Sequence, residues 1–251
     1  MSSSIWTRCA GSSEIRALAS EPWRVVEAQH QISTRKLVDS DEEQAILEEV
    51  LERTKPPLPE GPRLHYLLFT SFRYPPLRHG SRFGSRHERG IWYGSESLRA
   101  AFAEVAYYRL LFLEGTEADL GPVDVDLSAF NVRVKTRRGI DLTAKPFDRW
   151  RSLLASKTSY VATQALGTAM REAGVEAFRY ASARDTEGGV NVGLFASTAF
   201  AARRPRHLHA WHSVATRDAV EFSKRDYFSR EAHRFPREQF LVRGSLPSPA
   251  T

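Results

Sequence analysis

The 251-residue chain contains a single cysteine, Cys9, and only two methionines. A lone cysteine makes no intrachain disulfide and no cysteine-rich zinc site, so the fold has to rest on its apolar core. Lysine is also scarce, at six of the 36 basic residues, the other thirty being arginine; the planar guanidinium suits forked contacts to phosphate. No apolar run reaches the roughly 18 residues needed to cross a bilayer, and the most apolar segment, Val105 to Leu113, is broken by Arg109. The first residues, Met1-Ser2-Ser3-Ser4-Ile5-Trp6-Thr7-Arg8-Cys9, show no basic stretch followed by an apolar one, so no secretory signal is expected and the expected location is cytoplasmic. No HExxH is present, no GxGxxG or GxxxxGK[ST] sits between a strand and a helix, and no GxSxG elbow surrounds Ser182. These absences argue against zinc-peptidase, dinucleotide-fold, P-loop and serine-hydrolase chemistry.

At 41% hydrophobic and 26% charged residues the composition is that of a folded globular protein. The net charge of +6 and pI near 9.6 admit a nucleic-acid-binding module, although the basic residues are scattered rather than bunched. His207 and His209, with His212 nearby, are the only histidines spaced like metal ligands, and no acidic cluster accompanies them. No metal is expected.

Residues 1–60 read as an N-terminal helical extension and linker. Asp39-Ser40-Asp41 can cap an acidic helix from Glu42 to Arg53, stopped by Lys55-Pro56-Pro57-Leu58-Pro59. Ile46, Leu47, Val50 and Leu51 form one apolar face, which predicts that this helix docks on something. Residues 61–251 then form the main domain. Leu64 to Thr70 reads as a buried strand, followed by a long Pro-, Arg-, Gly- and Ser-rich loop to Gly90. Ile91-Trp92-Tyr93 reads as a strand, and Glu96 to Leu113 as a helix with Leu98, Ala101, Phe102, Val105 and Tyr108 on one face. Strands are expected around Val123 to Leu127, at Val132 and Val134, at Ala177 to Tyr180 and at Val190 to Phe195, with another pair between Ser213 and Leu241. A helix from Tyr160 to Ala173 should end at Gly174, and Pro247-Ser248-Pro249 should be a frayed tail. Short mixed strands with few helices and no regular βαβ alternation point to an α+β fold.

Four stretches can carry chemistry. Glu104 is the only acidic residue between Glu96 and Glu114, in a helix that is otherwise almost wholly apolar. An ionised carboxylate placed there needs a partner: either an internal salt bridge, to Arg109 or to an arginine of the preceding loop, or a catalytic role. Arg82, within Gly80-Ser81-Arg82-Phe83-Gly84, can bring a guanidinium to a phosphate where the backbone approaches closely; Arg73, Arg78, Arg86 and Arg89 read better as solvated loop residues. Trp92 and Tyr93 are either core or an aromatic face for a base. Ser182 and Asn191 flank a glycine-containing turn, where they either cap the turn or orient a ribose or an amide.

In order, Gly-Ser-Arg-Phe with Arg82, Ile-Trp-Tyr with Tyr93, Ala-Phe-Ala-Glu-Val with Glu104 and Tyr-Ala-Ser with Ser182, then Asn191, resemble the motifs of the RES family. The first three residues fall at intervals of eleven, and the resemblance spans about residues 64–200. It differs where family members often carry Gly-Gly-Arg-Trp-Asn, because this chain has Gly-Ser-Arg-Phe-Gly. The resemblance implies an NAD-degrading toxin of a bacterial toxin–antitoxin pair, with an ADP-ribosyltransferase-like split-sheet core of the diphtheria-toxin type. It implies cleavage of the nicotinamide–ribose bond of NAD, as substrate, with no metal. Arg82 would hold the pyrophosphate or its adjoining ribose, Tyr93 would stack on the nicotinamide end and Glu104 would stabilise the positive charge that grows on the ribose. Ser182 and Asn191 would position the ribose or carboxamide. The acceptor would be water, inorganic phosphate or a protein side chain, with Arg73, Arg86 and Arg184 as spare phosphate-binding groups. The implied partner is a cognate antitoxin with an Xre-like region, and a homo-oligomer is compatible. A nucleic-acid-binding module and a non-catalytic partner-binding protein are the competing readings.

Overall fold

The computed structural model describes residues 4–28, 38–56, 63–74 and 79–248. Among these, six α-helices and ten strands alternate irregularly: α1 (Ile5–Arg8), β1 (Arg16–Ser20), β2 (Trp23–Glu27), α2 (Asp41–Thr54), α3 (Tyr66–Arg73), β3 (Trp92–Ser95), α4 (Leu98–Glu114), β4 (Val123–Asn131), β5 (Val134–Asp141), α5 (Arg151–Leu154), α6 (Val161–Glu172), β6 (Ala177–Ala181), β7 (Val190–Leu194), β8 (Arg206–Ala215), β9 (Ala219–Lys224) and β10 (Ala232–Pro236). The expected α+β class is observed.

All ten strands join one sheet in the order β1-β5-β6-β7-β3-β2-β4-β8-β9-β10. Only β5 and β6 run parallel. The sheet is nearly split in the middle, since β2 meets β3 at the single position Trp23–Ser95, whereas β2 and β4 pair along five positions. Helix α4 spans the junction and packs on strands of both halves. Its Phe102, Ala106, Tyr107 and Leu110 sit in a core with Trp211, Phe222 and Phe235. Phe83, Phe178 and Met170 centre a second core, and Trp92, Phe130 and Leu194 a third. Burial of several such side chains, at about 1.5–3 kcal/mol each, is what holds a fold without disulfides.

Three expectations need correction. Leu64 to Thr70 is not a strand: residues from Tyr66 form α3, capped by the His65 ring at the Leu67 N–H. A short apolar run does not distinguish strand from buried helix, and here Leu64, Leu67, Leu68 and Phe72 meet the core at helical spacing. The first 60 residues are not a separate helical extension, because β1 pairs with β5 and β2 lies in the interior of the sheet. The acidic helix is present as α2, capped by Ser40, and its Ile46 and Val50 are 61% and 49% exposed, so that face is not covered by the described residues. Pro247 is no frayed end either: it is buried and its carbonyl accepts the Tyr107 hydroxyl. Part of the Lys55 to Pro59 linker, Arg78 and Pro249 lie outside the described residues.

Candidate active site

A cleft of about 610 Å³ opens where the two halves of the sheet separate. Its walls come from β2 (Trp23, Arg24), β3 (Tyr93, Ser95), α4 (Ala101, Glu104, Tyr108) and the Arg82 turn, with Tyr160, Tyr180 and Asn191 closing the far side. Alternation along β3 explains the pair of aromatics there: Trp92 is fully buried in the core, and the next side chain, Tyr93, faces the cleft. On α4 the positions 101, 104, 105 and 108 line the cleft, while Ala103, Ala106, Tyr107 and Leu110 are buried. Tyr108, expected on the core face, is 51% exposed, and its neighbour Tyr107 occupies the core instead.

Glu104 is not salt-bridged to Arg109, whose guanidinium pairs with Glu27 at 2.8 Å. Its Oε1 instead accepts two hydrogen bonds, from Ser182 Oγ at 2.8 Å and from Asn191 Nδ2 at 2.7 Å. Asn191 Oδ1 in turn accepts the Ser95 hydroxyl at 2.7 Å, which leaves the amide nitrogen turned to Glu104. Ser182 and Asn191 are 7% and 1% exposed. Turn capping and the site thus coincide in Ser182, whose oxygen also accepts the main-chain N–H groups of Arg184 and Asp185 at 3.1 Å each. The serine stands behind the carboxylate and orients it; the cleft lining does not include it.

The Arg82 turn is closed by the Ser81 N–H to the Gly84 carbonyl at 2.7 Å and clamped by α6. Gln164 Nε2 donates to the carbonyls of His79 and Ser81 at 3.1 Å each. Gly167 lets the two elements touch, since a Cβ there would lie 1.9 Å from the Phe83 carbonyl oxygen. Arg82 is 7% exposed, donates to the Ser156 carbonyl at 2.8 Å and lies 4.6 Å from the centre of the Tyr160 ring. The Tyr93 hydroxyl accepts the Phe83 N–H at 3.1 Å and shares a hydrogen bond with Ser81 Oγ at 3.0 Å. Burial pushes Tyr93 up to about 12, against the weaker opposing effect of the Ser81 hydrogen bond. Burial, reinforced by the Glu104 charge, holds Tyr180 well above the ordinary phenol range. Both phenols are neutral at physiological pH.

The structure brings all five sequence-predicted residues, Arg82, Tyr93, Glu104, Ser182 and Asn191, into one region, and adds Arg24. That arginine lies on β2, lines the cleft, donates to the Tyr93 carbonyl at 3.2 Å and faces no carboxylate among the described residues; burial lowers it to about 10, so it stays charged. Its signal was present in Trp23-Arg24-Val25-Val26, a lone cation in an apolar run. Of the arginines expected to be spare, Arg86 is exposed and donates from Nε to His87 Nε2 at 2.8 Å, and the other two are turned to other partners. Arg73 pairs with Glu52 at 2.9 Å, and Arg184 is 1% exposed, its guanidinium 3.5 Å from the centre of the Tyr107 ring. His212 pairs with Asp124 and Asp126, and among the described residues no group of three His, Cys, Asp or Glu side chains could hold a metal ion.

Residues 57–215 match the RES domain. The match covers more than half of the chain, and the chain belongs to the RES family. Among solved structures, the chain is similar to one from the M. tuberculosis MbcT-MbcA toxin–antitoxin complex, with 14% identity and a TM-score of 0.47 over 84% of this chain and 91% of that one. No curated protein matches.

Proposed function

We propose that this RES-family chain degrades NAD, breaking the bond between nicotinamide and its ribose, and that it is the toxin of a toxin–antitoxin pair. The observation that carries the reading is the cleft carboxylate Glu104. One of its oxygens is held by Ser182 and Asn191, and the other has no hydrogen-bond partner among the described residues, inside a cavity large enough for a dinucleotide.

Arg24 and Arg82 supply two cations, neither ion-paired among the described residues, for the two charges of a pyrophosphate. Tyr93 and Tyr180 give a neutral aromatic wall for the nicotinamide end. As the C1′–N bond breaks, its electron pair leaves with the nicotinamide nitrogen, which becomes neutral, and positive charge develops on the ribose. A fixed carboxylate beside that carbon stabilises the charge without reorganising, which is commonly the largest catalytic contribution. Sugar cleavage usually needs a second carboxyl group as acid; a leaving group that departs neutral does not. The acceptor oxygen then bonds to C1′: a phosphate dianion attacks through a charged oxygen, and water releases its proton to the solvent. The step as written uses no metal.

Transfer to a protein side chain would use the same residues and is the alternative outcome. The test is purified protein incubated with NAD, with and without phosphate, products resolved by mass, beside Arg24→Ala, Arg82→Ala and Glu104→Gln. Loss of NAD that depends on Glu104, yielding ADP-ribose or its phosphorylated counterpart, supports the reading and names the acceptor. For Arg24→Ala the expected change is a KM for NAD raised about tenfold or more with kcat little altered, the pattern of lost ground-state binding.

A further inference from the structure

Asp185 belongs to no wall of the cleft, yet it is a carboxylate with a side chain only 3% exposed, and its bonds join the turn that carries Ser182 to the helix that carries Glu104. Its Oδ1 accepts the Glu187 N–H at 3.2 Å and the Arg99 guanidinium; its Oδ2 accepts the Gly189 N–H at 3.1 Å. Arg99 lies in the first turn of α4, the helix that carries Glu104. The same guanidinium reaches Glu187 at 3.0 Å and lies 5.4 Å from the centre of the Phe235 ring on β10. Gly189 makes the close fit possible, because a Cβ there would stand 2.4 Å from Asp185 Oδ2 and 2.6 Å from the Ala100 Cβ on α4. The turn is thus pressed against the start of the helix, with an ion pair between them whose carboxylate is buried and whose guanidinium is partly exposed.

We infer that the Arg99–Asp185 pair is the positioning device of the site, fixing the 182–189 turn on α4 so that the Ser182 hydroxyl can donate only to Glu104. The hydroxyl has one proton and two lone pairs. Both lone pairs are taken by the main-chain N–H groups of Arg184 and Asp185, so the proton is left for Glu104 Oε1 at 2.8 Å. If the turn drifts from α4, the hydroxyl is carried away from Glu104, and if it loosens, the two N–H groups no longer fix the direction of its proton. Displacements of about 1 Å in a catalytic group can cost about 10²-fold in rate. The inference rests on the reading of Glu104 as the reacting carboxylate.

Asp185→Asn places an amide NH2 or an uncharged oxygen before Arg99, and Arg99→Ala removes the cation, whereas Arg99→Lys keeps a charge for Asp185. The experiment compares kcat and KM for NAD, thermal midpoint and amide hydrogen exchange across residues 182–190 in the full-length protein. The expected result for Asp185→Asn and Arg99→Ala is kcat lowered about ten- to hundredfold, KM within about twofold, and faster exchange at Arg184 and Asp185, with Arg99→Lys retaining most of the rate. Wild-type kcat in Asp185→Asn, or unchanged exchange in that turn, overturns the inference. So does a loss that follows thermal stability alone and is equal in Arg99→Lys. If the wild-type protein leaves NAD intact, the NAD reading fails separately, and the exchange of Arg184 and Asp185 still decides whether the pair holds the turn.

Discussion

Glu104 was legible in the sequence as an acid stranded in an apolar helix, but its partners were not, because Ser182 and Asn191 are 78 and 87 residues away along the chain. Sequence spacing offered Arg109, which lies one turn further on and pairs with Glu27 instead. Removing either true partner leaves Glu104 Oε1 with one donor. Ser182→Ala and Asn191→Ala are each expected to lower NAD turnover by about 10²-fold, the usual cost of one preorganised donor, and to lower stability by about 1–3 kcal/mol through buried groups left unpaired. Steady-state kinetics and thermal melts check both. The phenols give a pH signature. Burial raises Tyr93 and Tyr107 to about 12, above the value near 10 expected of an unfolded chain. The fold therefore favours their protonated forms, and this part of the stability is complete below pH 10 and lost as pH rises from 10 to 12. Denaturant midpoints measured across that window should fall, and a flat profile would contradict the buried placement of these rings.

The elements with long regular patterns were read correctly. The acidic helix matched α2, the run from Tyr160 matched α6, and Gly174 ends it with φ +73°, as a left-handed residue after a helix should. The segment around Ser213 to Leu241 carries more of the sheet than the expected pair, since β8, β9 and β10 all pair there. Failures came where the pattern was short or where tertiary contacts decide. Arg16-Ala17-Leu18-Ala19-Ser20 has one core side chain, Leu18, too little for alternation to reveal a strand. Helix α3 was mistaken for a strand because its apolar residues are consecutive. No sequence rule showed that α6 clamps the Arg82 turn, since that depends on the contact of Gly167 with the Phe83 carbonyl. Gly167→Ala is expected to force the two elements apart, with a loss of about 1–3 kcal/mol as in other overpacked interiors and a raised KM for NAD as Arg82 shifts. Unchanged melting and kinetics would show that the clamp is not tight.

For the whole molecule, the RES match at residues 57–215 is smaller than the folding unit. The strand β2 stands between β3 and β4 in the sheet and brings Arg24 to the cleft. At the other end β9 and β10 complete the core against α4, and Lys157 donates to the Gln239 carbonyl at 2.9 Å. A chain cut to residues 57–215 is therefore expected to be unfolded or aggregated, as circular dichroism and gel filtration would show, while a cooperative melt from that fragment would contradict this account of the fold. No helix among the described residues is long and apolar enough to cross a membrane. The proposed chemistry turns on one carboxylate in one cleft, and mass-resolved NAD turnover by the purified full-length protein beside Glu104→Gln tests it. The wild type is expected to release nicotinamide and the variant, with its fold intact, to lose at least about 10²-fold in rate. Equal turnover by the two proteins, or intact NAD with the wild type in both phosphate and phosphate-free buffer, would contradict it.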